Sequence, residues 1–255
     1  MDKAPHVAVC LPSMGSYETE TAISLAAMAI INRAHGIAQS LLSQQQAGIA
    51  ESRNNLVRCA FDAGADYSLW VDADMAFDPA GCLRLLQHEK DIVGATYPRR
   101  GPPYVINGRP VKGDIFAEEL QDMEFLPAGF LLVHMDVFRK LQEPWFFESY
   151  PQVGPPREQI VSALKGACNA DLPESFLKDL GDLAEFHKIQ EGEGKTKLTS
   201  LRGEDANFCR KARDSGYQIW CDSALSQEMI HIGKQTVSIA GKLPGLTNQV
   251  LNEKN

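Results

Sequence analysis

Tyr67-Ser68-Leu69-Trp70-Val71 is a short apolar run with Gly64-Ala65-Asp66 before it and Asp72-Ala73-Asp74 after it. A run of this length without polar alternation reads as a β-strand covered on both faces, which requires helices above and below the sheet. Residues two apart on an extended chain point the same way, so the carboxylates of Asp72 and Asp74 leave the strand's carboxyl end together. Ligands of open α/β sheets bind at that edge. Two hard oxygen donors there suit Mg²⁺ or Mn²⁺, which can in turn hold a diphosphate. The same pair also suits a simple turn that ends a strand.

Strand and helix signals alternate on either side of this run. His6 to Leu11 reads as a buried strand ended by Pro12, and Ser13-Met14-Gly15-Ser16 as the loop after it. A helix with Ile23, Ala26, Ala27 and Ile30 on its apolar face is expected to reach Gly36, followed by a strand from Gly36 to Leu42. A second helix from about Ala47 carries Ile49, Leu56, Val57, Ala60 and Phe61 as its stripe and closes at Gly64. A helix after Pro79 and the strand Asp91 to Ala95 complete the pattern. Such alternation implies a parallel sheet with right-handed crossovers.

After Arg99 the pattern changes. Gly101-Pro102-Pro103 breaks it, Phe125 to His134 is strongly apolar around Pro127-Ala128-Gly129, and a helix from Met135 to Leu141 follows. From Pro144 to about Thr199 a Pro- and Gly-rich loop, helical patches at Glu158 to Leu164 and Glu174 to Phe186, and the polar run from Gln190 to Lys195 suggest either a lid or a solvated insertion. The 255 residues fit one large α/β domain or two small ones. A formal net charge of −8 argues against broad, non-specific nucleic-acid binding. The six cysteines form no C-x-x-C pair, so neither a zinc site nor a disulfide framework is expected. With no signal-peptide pattern and no apolar run of membrane-spanning length, a cytoplasmic protein without a membrane span is expected.

Two further clusters carry chemistry. Gly203-Glu204-Asp205 opens a helix in which Asp205, Phe208, Cys209 and Ala212 share one face. A carboxylate on an apolar stripe is costly unless it has a partner or a task, although acids also complement a helix amino terminus. His231-Ile232-Gly233-Lys234 follows the expected strand Tyr217 to Cys221; it offers an imidazole for a borderline metal and a lysine for phosphate, or a structural histidine.

In this order the pieces resemble the GT-A nucleotide-sugar glycosyltransferases, in the style of the family-2-like group, over nearly the whole chain. The likeness rests on Val7 to Ser13, Glu51 to Asn55, Leu69 to Asp74, Pro127 to Phe130, Arg202 to Phe208 and His231 to Gly233. It implies an α/β, GT-A (Rossmann-like), mostly parallel central sheet flanked by helices, with a helical and loop insertion. It implies one catalytic domain over 1–255: a nucleotide-sugar half at 1–100, an acceptor half at 101–235 that includes the insertion at about 146–200, and a tail at 236–255.

By the same resemblance Asp74 and His231 would hold Mn²⁺ or Mg²⁺, and Asp72 would contact the metal or the donor ribose. Pro12, Ser13, Arg53, Asp72, Ala73 and Lys234 would line the site of a UDP- or GDP-sugar donor. Lys234, Arg99 and Arg100 are candidates for diphosphate contact. Asp205, with Glu204 in reserve, would be the base of an inverting transfer, or would orient the acceptor in a retaining one. The insertion is longer than in compact relatives and would shape the acceptor pocket, with Trp145 stacking on a sugar or base or serving as a core aromatic. The acceptor can be a glycan, a protein, a small molecule or a modified nucleobase.

Two other classes compete. A sugar-nucleotide pyrophosphorylase would want a basic, Gly-rich phosphate loop, and Leu11 to Glu18 carries no Lys or Arg. A non-catalytic nucleotide-sugar-binding protein would not require Asp72, Asp74, Asp205 and His231 as a set. A dehalogenase-type phosphatase is disfavoured by Ala76, where Thr or Val is expected.

Overall fold

The computed structural model describes residues 4–45, 48–100, 105–148 and 203–233, with the backbone of 237–238. These all belong to the unit formed by 1–148 and 203–255. Most of the expected insertion, from 149 to 202, and most of the expected tail lie outside the described residues.

The sheet grows outward from β1 (His6–Ser13), which pairs in parallel with β2 (Ala38–Gln45) and β3 (Tyr67–Val71). Beyond β3 come β8 (Phe130–His134), β5 (Ile92–Gly94), β9 (Trp220–Asp222), β7 (Leu120–Phe125) and β6 (Arg109–Pro110). The order across this eight-stranded sheet is β2-β1-β3-β8-β5-β9-β7-β6. Only β8 and β7 run against the rest, so the sheet is mixed but mostly parallel in direction. A second sheet joins β4 (Met75–Ala76), β10 (Ile230–His231) and β11 (Val237–Ser238) in the order β11-β10-β4.

Period-two alternation on the central strands builds two apolar layers. Val7, Val9, Leu11, Leu69, Val71 and Leu132 enter one, beneath helices α1 (Thr19–Ala34), α3 (Gly81–Gln87) and α6 (Ser223–Ser226). Ala8, Cys10, Trp70, Leu131 and Val133 enter the other, with α2 (Ile49–Asp62), α4 (Met135–Lys140) and α5 (Glu204–Asp214). Gly64, at φ +66°, turns the chain out of α2 in the left-handed conformation that glycine adopts freely.

Several local expectations are corrected. β1 continues through Pro12 to Ser13; past Cys10 it pairs only with β2, so the proline interrupts no ladder to β3. β2 begins at Ala38 and reaches Gln45, and the strand expected at Tyr217 to Cys221 is Trp220–Asp222. The largest difference is α1. Ile23 and Ile30 are 62% and 72% exposed, whereas Thr21, Ser24, Met28 and Asn32 are buried. The polar residues face inward because neighbouring groups need them: Thr21 Oγ1 donates to the Ala73 carbonyl, Ser24 Oγ accepts from Phe77 N–H, and Asn32 Nδ2 donates to Gln39 Oε1.

Trp145 is a core residue. Its Nε1 donates to the carbonyls of Phe138 and Leu141. Asn54 accepts from the backbone N–H of both Trp145 and Phe146 and donates to the Phe146 carbonyl, so its side chain ties down the chain after α4 rather than facing an open cleft.

Candidate active site

The loop after β3 is held at every residue. Asp72 N–H donates to the Gly129 carbonyl at 3.1 Å. The Ala73 carbonyl accepts from Glu18 N–H at 2.9 Å and from the Thr21 hydroxyl at 3.1 Å. The Asp74 carbonyl accepts from Ile232 N–H at 2.8 Å. Backbone pinned in this way fixes where both carboxylates project.

Asp72 projects toward Arg53, which is 2% exposed. Arg53 Nη2 donates to Asp72 Oδ1 at 2.8 Å, Nε to Glu204 Oε1 at 3.1 Å, and Nη1 to the Ala128 carbonyl at 3.3 Å. Its guanidinium carbon lies 5.5 Å from the centre of the Trp70 ring and 5.8 Å from that of Phe146. Burial disfavours the charge, but Asp72 and Glu204 outweigh it and keep Arg53 cationic. Gly129 makes room for the arrangement: a Cβ there would fall on the Tyr97 hydroxyl and 2.9 Å from Asp72 Oδ2.

Asp74 projects toward His231. β10 pairs antiparallel with β4, placing His231 opposite Met75, the residue after Asp74. Across that ladder His231 Nε2 stands 3.7 Å from Asp74 Oδ1. His231 Nδ1 lies 2.9 Å from the Pro98 carbonyl, which can only accept, so in the neutral ring Nε2 carries the lone pair toward Asp74. Tyr97 packs edge-on against the imidazole, ring centres 5.1 Å apart. Arg100 Nη1 meets Asp74 Oδ2 at 2.9 Å. Burial pushes the Asp74 carboxyl upward, but His231 in its protonated form, which turns an N–H toward Asp74, and Arg100 outweigh it and hold the group below its ordinary value.

Among the described residues no three His, Cys, Asp or Glu side chains are gathered as a ready-made metal cage. The pair brought together is Asp74 with His231, while Asp72 is turned to Arg53. One carboxylate and one imidazole whose other nitrogen is anchored on a carbonyl are donors that would suit a divalent cation only with further ligands from outside the protein.

Asp205 sits in the first turn of α5, with Ala206 N–H on its Oδ1 at 2.7 Å. Burial and the adjacent Glu204 charge push its carboxyl up to about 6, against the opposing pull of Arg53. Glu204 is committed to Arg53. Pro12 is buried at the end of β1, and the Ser13 hydroxyl is engaged locally, accepting from Gly15 N–H and donating to the Ser16 carbonyl. Lys234 lies outside the described residues.

One cluster has no counterpart among the sequence motifs. Asp222, fully buried, accepts from Arg84 Nε and Nη2 at 2.6 and 2.7 Å, from His88 Nε2 at 2.8 Å and from Leu225 N–H at 2.8 Å. It caps α6 and anchors the stretch that returns to β10 with His231. Its side-chain partners come from α3 and the turn after it, so no spacing in the sequence announces them.

No family model matches the chain, and no curated protein matches it. Among solved structures the chain is similar to A197 from STIV, at 13% identity and a TM-score of 0.52 over 92% of this chain and 93% of that one. It is also similar to a glycosyltransferase involved in the glycosylation of the major capsid of PBCV-1, at 13% identity and a TM-score of 0.33 over 64% and 69% of the two chains. At these identities the A197 likeness speaks for the fold alone, and the second is too slight to add to it. The expected fold class, an α/β GT-A-like sheet flanked by helices, holds. Among the described residues no helix is long and apolar enough to cross a membrane.

Proposed function

We propose that the chain is a metal-dependent glycosyltransferase that moves a sugar from a UDP- or GDP-sugar to an acceptor hydroxyl. The observation that carries this reading is the β4–β10 pairing, which sets His231 3.7 Å from Asp74 at the carboxyl edge of the sheet. The motif order of the family-2-like group supports it. In this reading Asp74 and His231 hold Mn²⁺ or Mg²⁺. When bound, the cation offsets negative charge that develops on the departing nucleoside diphosphate.

The chain's own residues do the rest. Asp72, oriented by Arg53, faces the donor ribose or the metal, and Pro12, Ser13 and Ala73 border the donor, with Lys234 the candidate for diphosphate contact by the same resemblance. Asp205 takes the acceptor hydroxyl proton if the reaction inverts the anomeric centre, and orients the acceptor if it retains it. A carboxyl raised to about 6 is ionised at neutral pH yet more basic than an ordinary aspartate, which suits general-base work. A glycan, protein, small molecule or modified nucleobase is the acceptor class.

The test is a mass-spectrometric screen of nucleotide sugars with and without Mn²⁺. At least one donor should yield free nucleoside diphosphate only when the metal is present, and Asp74→Ala and His231→Ala should each abolish this while leaving the circular dichroism spectrum intact. If no donor is bound or cleaved by the wild-type protein, the reading fails.

A further inference from the structure

Each carboxylate oxygen of Asp74 faces one side chain, and one of the two is a cation. Oδ1 faces His231 Nε2 at 3.7 Å, and Oδ2 takes an ion pair from Arg100 at 2.9 Å. The acid is the fixed partner: its side chain is 19% exposed and its carbonyl is tied to Ile232. The Arg100 side chain, 58% exposed, reaches in from solvent on a flexible stem. A divalent ion held by Asp74 and His231 would need the charge that the guanidinium now neutralises, and two cations on one carboxylate repel each other.

We propose that Arg100 is a built-in counter-cation that competes with the divalent ion for Asp74 and transfers to the donor's diphosphate when metal and nucleotide arrive together. This rests on the metal site proposed above. It gives the site a way to bind metal weakly alone and tightly with nucleotide. The diphosphate offers Arg100 another anion, so its arrival frees Asp74 for the metal. Such coupling is reciprocal, because each ligand must raise the other's affinity by the same factor. Arg109 supplies the control. It is exposed, its guanidinium meets Glu124 Oε2 at 3.3 Å, and among the described residues no ion pair joins it to Asp74.

The experiment is a Mn²⁺ titration followed by the electron paramagnetic resonance signal of the free aquo ion, with and without UDP or GDP. It compares wild type with Arg100→Gln, Arg100→Lys, Arg109→Gln and Asp74→Asn. Arg100→Gln should bind Mn²⁺ alone roughly three- to tenfold more tightly than wild type. The further tightening caused by nucleotide should shrink in the same variant. Arg100→Lys should fall between these, Arg109→Gln should match wild type, and Asp74→Asn should lose the site. Equal shifts for Arg109→Gln and Arg100→Gln would overturn the proposal in favour of general charge. Wild type and Arg100→Gln binding alike would overturn it while leaving the metal site standing. No Mn²⁺ bound by any form, with or without nucleotide, would sink both.

Discussion

Arg53 Nε and Glu204 Oε1 meet at 3.1 Å although 151 positions separate them in the chain. The same guanidinium holds Asp72 Oδ1 at 2.8 Å. One buried cation therefore sets the spacing between the acid at the end of β3 and the first turn of α5, where Asp205 lies. The surrounding packing explains why it stays there, since Trp70 and Phe146 flank it and its third contact is the Ala128 carbonyl.

Replacing Arg53 by methionine keeps bulk but strands two carboxylates that are 28% and 13% exposed. Removing one partner of a buried ion pair is costly, and a loss of about 3 kcal/mol is expected. Arg53→Lys keeps the charge but not the planar fork, so an intermediate loss is expected. Urea unfolding followed by tryptophan fluorescence measures both. A wild-type midpoint for Arg53→Met would show that this network does not hold the fold together.

Asp222 makes the second prediction. Burial alone would raise its carboxyl, but Leu225 N–H, His88 and Arg84 outweigh burial and hold it below its ordinary value of 3.8. A depressed acid contributes stability that is fully present above the unfolded value and is lost as pH falls through the folded one. Asp222→Asn should therefore lose about 2 kcal/mol at neutral pH. The gap to wild type should stay constant between about pH 5 and 8 and close only in strong acid. Denaturant titrations across that range measure the gap, and one that closed near neutrality would contradict the assignment.

Gly129 carries the third. A Cβ at this position collides with the Tyr97 ring and crowds Asp72 Oδ2, and both neighbours are held by the structure around them. Gly129→Ala should cost about 2 kcal/mol or more. Tyr97→Phe removes the hydroxyl in the way, so adding it to Gly129→Ala should recover part of the loss. A double-mutant cycle on thermal unfolding gives the coupling, and strictly additive changes would mean the two residues do not touch.

Much of this architecture is legible in the sequence for a simple reason. Continuous apolar runs such as Val7 to Leu11 and Tyr67 to Val71 have few places to go except a doubly covered sheet, and Asp72 and Asp74 inherit their position from that strand. The face of α1 defeats the apolar-stripe rule because burial there follows hydrogen-bonding need: Thr21, Ser24 and Asn32 serve neighbouring groups, while Ile23 and Ile30 are left outside. The β4–β10 ladder is equally hidden. Strands of two residues have no period to detect, so motif order hints at His231 beside Asp74 while periodicity is silent about it. Asp222 with Arg84 and His88 is a tertiary cluster with no local signature at all.

Asp205 supplies the last prediction, because its carboxyl departs from 3.8 to about 6 under burial and the nearby Glu204. An acid whose folded value is raised binds its proton more tightly in the native state. Its ionisation therefore costs stability as pH rises through that window, and the full cost is present above about 6. Asp205→Asn removes the charge and retains an acceptor for Ala206 N–H, so it should stabilise the fold at pH 8 by about 1–2 kcal/mol. That gain should fade as pH drops toward 4. If Asp205 is also the base, the same substitution should lower turnover by roughly 10²- to 10⁴-fold, and wild-type kcat/KM should fall below about pH 6. The stability arm needs no substrate, so it tests the carboxyl's environment independently of its role. A variant that is more stable but inactive is the expected pair of outcomes. A variant of unchanged stability at pH 8 would mean that Asp205 is solvated, and the case for it as a tuned base would go with it.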